Sequence, residues 1–579
     1  MATNTLVSPG VLQLENDQSF ITQNPVNVGA AIIGPAVKGP VEVPTIVTSW
    51  SDYQNKFGTT FLSGSNIYTY FTSIAAFNYF NNGGDTMLVA RVVSGTFASA
   101  TTSGSSGTPI LNSNTSESLR LKTISQGTNQ NSTSSLDASG SLMSGSVNNI
   151  RYQIANNDTG SGTFSLVVRQ GDDNTNNQIV LETWTNLSMD TTAPNYVARV
   201  IGDQYKSYSG TTDNQIVVNG TYPNNSRYIY VSSVVTPTPL YFDNTGIAKA
   251  QFTGSVPTNG SGSFSSATGN LASAAGAKYY DAITSAATNI QGLLSQSYDN
   301  MISLLSNQDD YQYNVLLTPG LFADGAALGA GQVNNIINNT QNRGDNIFVS
   351  DLVPYGATIG AATSAANAKN TSYAASYWPW IQTVDPDTSQ LVWVPASTLV
   401  AGVYAYNDNV SEPWFAPAGI NRGGLSTVIR AEKKLTQANR DTLYTNKVNP
   451  IATFPGTGVV VYGQKTLQTK ASALDRVNVR RLLISLKSYI GQVANNLVFE
   501  QNTIATRNSF LAQVNPFLES VQQRQGLYAF KVIMDSSNNT PDVIDRNQLV
   551  GQIYLQPTKT AEFIYLNFNI LPTGVTFPA

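Results

Sequence analysis

Apolar residues recur at helical spacing in a stretch near the C-terminal end of the chain. At about 100° per residue these positions fall on one stripe of a helical wheel, which predicts an amphipathic helix lying on a core. A second, shorter stripe runs from Phe510 to Val521, and Pro516 within it predicts that one helical turn ends there or another begins. The first stripe consists of Val479, Leu482, Leu483, Leu486, Ile490, Val493 and Leu497.

The hydrophobic period then changes from that of a helix to that of strands. Residues 527–534 and 548–555 are typical of strands on either side of the turn-rich residues 535–541. We therefore predict a C-terminal α+β unit over residues 425–560, followed by an apolar tail over residues 561–579. From Glu562 the tail alternates between apolar and polar positions. Its apolar face carries Ile564, Leu566, Phe568 and Ile570.

Strand and helix patterns alternate in two separate parts of the chain, residues 21–93 and 276–424. Such alternation indicates a sheet covered by helices, and we predict that the two parts form one split α/β domain. Residues 279–305 read as helical, with a break near Gln296. A βαβ crossover of suitable lengths follows, with its strand, helix and strand over residues 313–317, 326–338 and 346–352.

Residues 94–275 interrupt this alternation. The segment to about residue 149 is rich in Ser, Thr, Gly and Asn and has few large apolar residues, so it is either flexible or a set of short exposed strands. Beyond it, turn residues separate strand patterns at intervals typical of a β-sandwich. We predict an all-β insertion here, with strands over residues 164–169, 178–187, 196–201, 215–218 and 227–235.

The first residues of the chain, 1–20, form no unit of their own. Their apolar positions predict either an edge strand of the same domain or a strand donated to a neighbouring subunit. These positions are Leu6, Val7, Val11, Leu12 and Leu14.

Composition narrows the class of protein. A chain of 579 residues exceeds what one hydrophobic core serves, so about two to four domains are expected. Charged residues make up 11%, against about 25% in ordinary soluble domains. A polar but scarcely charged surface repels copies of itself little and favours close packing between them. The net charge of -4 argues against direct binding of nucleic acid, which needs clustered Lys and Arg.

The chemistry available to the chain is limited because it contains no His and no Cys. Disulfides, cysteine-ligated zinc and histidine-based catalysis are therefore excluded. Residues 458–466 approach a phosphate-binding loop, but Lys465 does not follow Gly463 directly and valines fill the spacer. We predict no catalytic, cofactor or metal site. No run of about 20 apolar residues and no secretory signal is found. We therefore expect that the chain does not insert into a membrane and that it assembles in the cytoplasm of the producing cell.

Two clusters of side chains allow more than one interpretation. The aromatic-rich residues 373–414 indicate core and interface packing, with sugar recognition as the alternative. Arg476, Arg480 and Lys487 fall within about 40° of each other on a helical wheel. They form either a solvated flank of the long helix or a basic strip that faces an inner partner.

An ordered series of short segments resembles contractile phage tail sheath proteins. Near the N-terminus these are residues 8–11 (SPGV), 28–34 (VGAAIIG), 38–40 (KGP) and 57–58 (FG). In the second half they are residues 413–417 (PWFAP), 421–424 (NRGG), 526–535 (GLYAFKVIMD), 538–540 (NNT), 553–557 (IYLQP) and 561–563 (AEF). Together with a similar middle, they cover about two-thirds of the chain.

The resemblance implies a structural subunit that polymerises as helically stacked hexameric rings around a tail tube and contracts to drive the tube through the host envelope. It favours intersubunit arms at both termini, an outward-facing insertion, and a tube-facing role for the basic strip. The implied partners are further copies of the chain, the tail tube protein, and baseplate and tail terminator proteins, and the implied location is a virion tail assembled in the host cytoplasm. A static surface-array or shell protein is the alternative.

Overall fold

The computed structural model describes residues 28–63, 66–103, 107–210, 212–271, 289–291, 293–325 and 329–565. It shows a mixed α/β protein with several separate sheets. Within these ranges no helix is long and apolar enough to cross a bilayer. The predicted arm positions Leu6, Val7, Val11, Leu12, Leu14, Leu566, Phe568 and Ile570 lie outside the described residues.

The described residues up to 91 alternate between strands and helices. Ser49 caps the first helix, because its hydroxyl accepts a hydrogen bond from the Asp52 N–H at 3.1 Å. The elements are β1 (Val28–Gly34), β2 (Thr45–Val47), α1 (Trp50–Phe57), β3 (Thr60–Ser63), β4 (Asn66–Thr69), α2 (Phe71–Asn81) and β5 (Met87–Arg91).

The following part of the chain is mostly β-structure around its own core, which includes Leu121, Leu166 and Phe264. Its elements are β6 (Ser99–Thr101), β7 (Ile110–Leu111), β8 (Glu117–Gln126), β9 (Ile150–Asp158), β10 (Thr163–Gln170), β11 (Val180–Ser188), α3 (Val197–Ile201), β12 (Tyr205–Tyr208), β13 (Ile216–Asn219), β14 (Ile229–Val234), α4 (Ala250–Thr253) and β15 (Gly260–Ser263). They form a sheet of order β11-β10-β9-β15, a second of order β14-β8-β6 with β7 on β8, and the hairpin β12-β13.

The strand predicted over residues 196–201 is wrong, since residues 197–201 form the helix α3. Val197 and Ile201 stand four residues apart, and both are fully buried in the core of this part. A helical turn places them on one face, and this packing outweighs the strand preference of β-branched residues.

The remainder of the described chain continues as follows. The elements are β16 (Asn289–Ile290), β17 (Leu293–Leu294), α5 (Asp299–Leu304), β18 (Tyr313–Phe322), α6 (Ala330–Arg343), β19 (Ile347–Asp351), α7 (Ile359–Asn367), β20 (Ala374–Trp378), β21 (Ile381–Val384), β22 (Leu391–Val394), α8 (Ser397–Val410), β23 (Val428–Ala431), α9 (Gln437–Thr445), β24 (Asn449–Phe454), β25 (Gly458–Val461), α10 (Val477–Asn495), α11 (Ile504–Gln523), β26 (Leu527–Ile533), α12 (Pro541–Asp545) and β27 (Gln552–Pro557).

A central sheet joins strands from both sides of residues 94–275. Among the described strands its order is β2-β5-β1-β18-β19-β20-β24-β25, parallel from β5 to β24 and antiparallel at both ends. Side chains alternate between two buried cores, with Ala30 and Ile32 in one and Ala31 and Ile33 in the other. The sheet also takes in β24 and β25, which lie beyond the boundary predicted at residue 424.

Two predictions in the second half need correction. Within the described part of the helix predicted over residues 279–305, the prediction is wrong at Leu293–Leu294, which pair as a strand with Asn289–Ile290, whereas Asp299–Leu304 is helical. Pro516 neither ends nor begins a helix, because α11 runs unbroken from Ile504 to Gln523. The predicted βαβ crossover is confirmed, although β18 continues past the expected end to Phe322.

Candidate assembly surface

The C-terminal unit is built on the two helices α10 and α11. The predicted amphipathic stripe is confirmed, since Leu482, Leu486 and Val493 of α10 are buried against α11 and the hairpin that follows it. The rings of Tyr489 and Phe517 stack with their centroids 3.9 Å apart. This packing gives the hairpin β26–β27 a fixed base.

The hairpin β26–β27 has one covered face and one exposed face. The cross-strand pairs Phe530–Leu555 and Val532–Ile553 face the core of the C-terminal unit. The pair Lys531–Tyr554 lies on the opposite face, where Tyr528 and Tyr554 are 64% and 56% exposed. The alternation is that expected of a sheet with only one side packed.

Both outer edges of this hairpin lack a neighbouring strand within the part of the chain that the structure describes. An antiparallel pair satisfies only the backbone groups between its strands, so each outer edge presents N–H and C=O groups that can pair with another strand. A two-stranded sheet is also only marginally stable by itself. The hairpin is therefore a suitable acceptor for strand addition.

The segment after β27 crosses to the central sheet and is held there by Glu562. Arg476 donates two hydrogen bonds to this carboxylate, at 2.7 and 2.9 Å. The Tyr444 hydroxyl donates a third at 2.8 Å, and the Gln464 amide donates a fourth at 3.0 Å. We call Tyr444, Gln464, Arg476 and Glu562 the Glu562 clamp.

The electrostatics of the Glu562 clamp favour the charged carboxylate. Burial raises the pKa of Glu562, but hydrogen bonds from Arg476 and Tyr444 outweigh it and hold that pKa below its usual value. Bidentate pairing of a guanidinium with a carboxylate adds orientation to attraction. The clamp thus fixes the position at which the C-terminal segment leaves the C-terminal unit.

Apolar side chains follow directly after the Glu562 clamp. Phe563, Ile564 and Tyr565 are 68%, 76% and 88% exposed. Residues 561–565 belong to no strand, so the described start of the predicted C-terminal arm is not paired within its own chain. Ile564, the one predicted arm residue that the structure describes, therefore presents its side chain to the surroundings of the molecule.

The three basic residues of the predicted strip on α10 differ in their surroundings. Arg476 is part of the Glu562 clamp. Arg480 is 4% exposed, donates to the Ser372 hydroxyl, and places its guanidinium 3.9 Å from the centre of the Tyr373 ring. Lys487 is exposed, with its ammonium 3.3 Å from the Tyr373 hydroxyl. Contact with an inner partner stays a prediction, for which Lys487 has the most accessible side chain.

Most of the aromatic side chains described from residues 373–414 pack in the interior of the protein. The Trp380 indole donates to the Val353 carbonyl at 3.0 Å, and the hydroxyls of Tyr377 and Tyr404 are 2.7 Å apart in the core. Trp414 is buried, and its indole donates to the Arg524 carbonyl at 3.0 Å. These rings are occupied by packing and do not form a platform for a sugar.

Sequence reasoning missed the Glu562 clamp because its members are far apart along the chain. Tyr444, Gln464 and Arg476 precede Glu562 by 118, 98 and 86 residues. No motif of the sequence contains more than one of the four. Only the fold brings them together, between the edge of the central sheet and the start of α10.

Two family models match the second half of the chain. Residues 295–467 match the phage tail sheath protein central domain, and residues 469–571 match the phage tail sheath C-terminal domain. The tail sheath protein of Vibrio phage KVP40 is 45% identical over 185 residues, and that of Enterobacteria phage T4 is 42% identical over 185 residues. Each alignment covers 32% of this chain and 28% of the relative, so the chain matches less than a third of the length of these proteins.

The fold extends the likeness beyond the matched segments. The crystal structure of the sheath tail protein from Listeria innocua aligns with a TM-score of 0.51 over 92% of this chain and 95% of that chain. At 9% sequence identity this likeness shows a shared fold alone. Over residues 295–467 and 469–571, the chain is therefore similar to the central and C-terminal domains of phage tail sheath proteins.

Proposed function

We propose that this chain is the structural subunit of a contractile tail sheath, without catalytic activity. The observation that carries the proposal is the hairpin β26–β27, which has one packed face and two outer edges with no described strand beside them. A subunit with such an acceptor, and with apolar residues at both ends of its sequence, is suited to exchange strands with its neighbours.

The two termini act as the intersubunit arms. Residues 1–20, with Leu6, Val7, Val11, Leu12 and Leu14, supply one strand, and residues 561–579, with Ile564, Leu566, Phe568 and Ile570, supply the other. Each adds to the hairpin of an adjacent copy, so that backbone hydrogen bonds join the subunits. The exposed Phe563, Ile564 and Tyr565 beyond the Glu562 clamp support this arrangement.

The joined subunits stack helically as hexameric rings around a tail tube. The low charge of the chain allows copies to approach closely, and the lattice shortens and widens as more surface becomes buried between subunits. Arg476, Arg480 and Lys487 lie on the tube-facing side, with Lys487 able to touch the tube. The baseplate and the tail terminator bind the two ends of the stack, and contraction drives the tube through the host envelope for genome delivery.

The test is electron microscopy of the purified chain, alone and mixed with its tube protein. We expect tubular polymers with ring striations, in a long narrow form and a short wide form. The double variant Leu12→Asp/Leu14→Asp places two charges on the apolar face of the N-terminal arm, so it should form about tenfold fewer tubes or none. The matched control Gln13→Asp/Gln18→Asp adds the same charge at polar positions and should assemble as the wild type does.

One outcome would contradict only the arm assignment, and another would contradict the contractile sheath itself. Equal assembly of both double variants shows that the N-terminal arm assignment is wrong, while the sheath itself stands. Flat lattices or closed shells, with or without the tube protein, contradict the contractile sheath and favour a static array.

A further inference from the structure

A cavity of about 730 Å³ lies where residues 38–56 meet the β-rich part of the chain. Five cationic side chains line it, out of 31 Lys and Arg in the whole chain, and no Asp or Glu is among its lining residues. For a chain of net charge -4 this is an uneven distribution. The five are Lys38, Lys56, Lys122, Lys206 and Arg227.

Four of these five side chains form no ion pair within the described ranges of the chain. Lys56 pairs with Asp52 at 2.8 Å, so its charge is neutralised. Lys38, Lys122, Lys206 and Arg227 form no ion pair with any residue that the structure describes. The nearby Glu182 accepts hydrogen bonds from the Ser226 hydroxyl and the Arg227 backbone, outside the cavity lining.

The base of the cavity is fixed by hydrogen bonds between the two parts of the chain. The buried Arg91 guanidinium donates to the carbonyls of Ala36, Gly39 and Gln126 at 3.0, 2.6 and 2.9 Å. The Gly39 N–H donates to the Ser125 hydroxyl at 3.0 Å. The cavity is therefore present before any ligand arrives, so little ordering is needed on binding.

Partial burial makes a bound anion more favourable beside Lys38. Desolvation lowers the pKa of the Lys38 ammonium to about 8, and an anion beside it would relieve that cost. The stacked rings of Tyr205 and Tyr230, with centroids 5.1 Å apart, also line the cavity. Partial removal of these cations from bulk water strengthens their attraction to an anion.

We propose that this cavity binds a small multivalent anion, one that carries two or more phosphate or carboxylate groups. Lys38 holds it from the α/β side, and Lys122, Lys206 and Arg227 hold it from the β-rich side. The anion then joins the two parts of the chain electrostatically. The cations gather around one cavity and do not form the extended basic surface that duplex nucleic acid needs.

The test is calorimetric titration of the full-length chain with inorganic tripolyphosphate and, separately, with citrate. We expect one saturable site whose affinity falls as ionic strength rises, because partly exposed charges are screened. The double variant Lys122→Gln/Lys206→Gln should weaken binding by about tenfold or more, since it removes two of four unpaired charges. Binding of both anions identifies charge as the recognised feature, and binding of tripolyphosphate alone identifies phosphate.

The matched control is Lys434→Gln/Lys470→Gln, which removes the same charge from two exposed lysines away from the cavity. This control should bind within about twofold of the wild type. The proposal is overturned if the wild type shows no saturable binding of either anion, or if both double variants lose affinity equally. Neither result bears on tail sheath assembly, because the titration requires no polymer.

Discussion

The Glu562 clamp brings four side-chain hydrogen bonds to one carboxylate of the described C-terminal segment. Its donors come from helix α9, from the loop after β25 and from the residue before α10. Glu562 and Arg476 are mostly buried side chains, at 18% and 23% exposed. Removing the charge from Glu562 would leave its donors without their acceptor in a partly desolvated site.

The first prediction concerns Glu562→Gln. This substitution keeps the size of the side chain but loses the charge and one acceptor, and it should cost about 1.5–3 kcal/mol of local stability. Amide hydrogen exchange over residues 558–565, followed by mass spectrometry, should become about tenfold faster or more. Because the pKa of Glu562 is held below its ordinary value, the charge stabilises the clamp above the ordinary Glu range, and this contribution is lost as pH falls through the lower folded-state pKa. The wild type and the variant should therefore differ at neutral pH and converge only in acid.

The control for this experiment is Glu500→Gln, at an exposed carboxylate with no side-chain partner among the described residues. Its exchange over residues 558–565 should match that of the wild type. Unchanged exchange in Glu562→Gln at neutral pH would show that strand β27, rather than the clamp, holds the segment.

Sequence reasoning reached individual residues only where a local pattern exists. Of the predicted basic strip, Arg480 and Lys487 lie on α10 and share the ring of Tyr373, while Arg476 precedes the helix and pairs with Glu562. The helical wheel could not predict the contacts with Tyr373 or Glu562. It shows which residues are neighbours on one helix, but not which residues of other elements the fold brings to that helix. A flank that reads as solvated can therefore contain a buried cation such as Arg480.

At the scale of elements, long periodic segments were predictable and short ones were not. The predicted stripe gives a strong helical signal, and its six positions that lie in α10 are all buried or partly buried. Residues 197–201 hold too few positions for a period to emerge, so propensity favoured a strand and tertiary packing selected a helix. At Pro516, likewise, the packing of α11 outweighs the local tendency of proline to break a helix.

The second prediction concerns Pro516→Ala. Pro516 is exposed, lacks a backbone N–H, and occurs in the interior of α11, where Val514, Leu518 and Val521 are fully buried. That packing maintains the helix despite the missing hydrogen bond. Alanine should restore the bond and raise the free energy of unfolding by about 1–3 kcal/mol, measured by urea denaturation.

The matched control is Glu519→Ala, at another exposed position of the same helix. It should change the unfolding free energy by no more than about 0.5 kcal/mol. If Pro516→Ala gives no more stability than this control, then the backbone of α11 is already adapted to proline, and packing of neighbouring side chains alone explains the unbroken helix.

At the scale of the whole molecule, the β-rich part leaves the α/β part and returns to it at adjacent points. The Ala98 N–H donates to the Thr268 carbonyl at 3.1 Å, and the Thr128 N–H donates to the Gly269 carbonyl at 2.8 Å. Strands β1 and β18, which come from opposite sides of this part, pair directly in the central sheet. Among the described residues, none of those from 98 to 268 belongs to a strand of the central sheet.

The third prediction is that residues 98–268 can be replaced by a short Gly/Ser linker. Because the ends of this segment are adjacent, a few residues should span them. Arg91 loses the Gln126 carbonyl but keeps those of Ala36 and Gly39, and the Gly39 N–H loses the Ser125 hydroxyl; together these losses should cost about 1–3 kcal/mol and lower Tm by a few degrees. Circular dichroism and thermal unfolding should report a folded, cooperative protein.

The shortened chain also separates the two functional proposals, since they depend on different parts of the molecule. It retains the hairpin β26–β27, both termini and the Glu562 clamp, so it should still polymerise with the tube protein. It lacks Lys122, Lys206 and Arg227, so it should no longer bind tripolyphosphate. A shortened chain that fails to fold would show that the α/β part depends on the β-rich part for more than the bonds of Arg91 and Gly39. If it folds but does not polymerise, residues 98–268 take part in assembly, and the hairpin and arms cannot be the whole of the subunit interface.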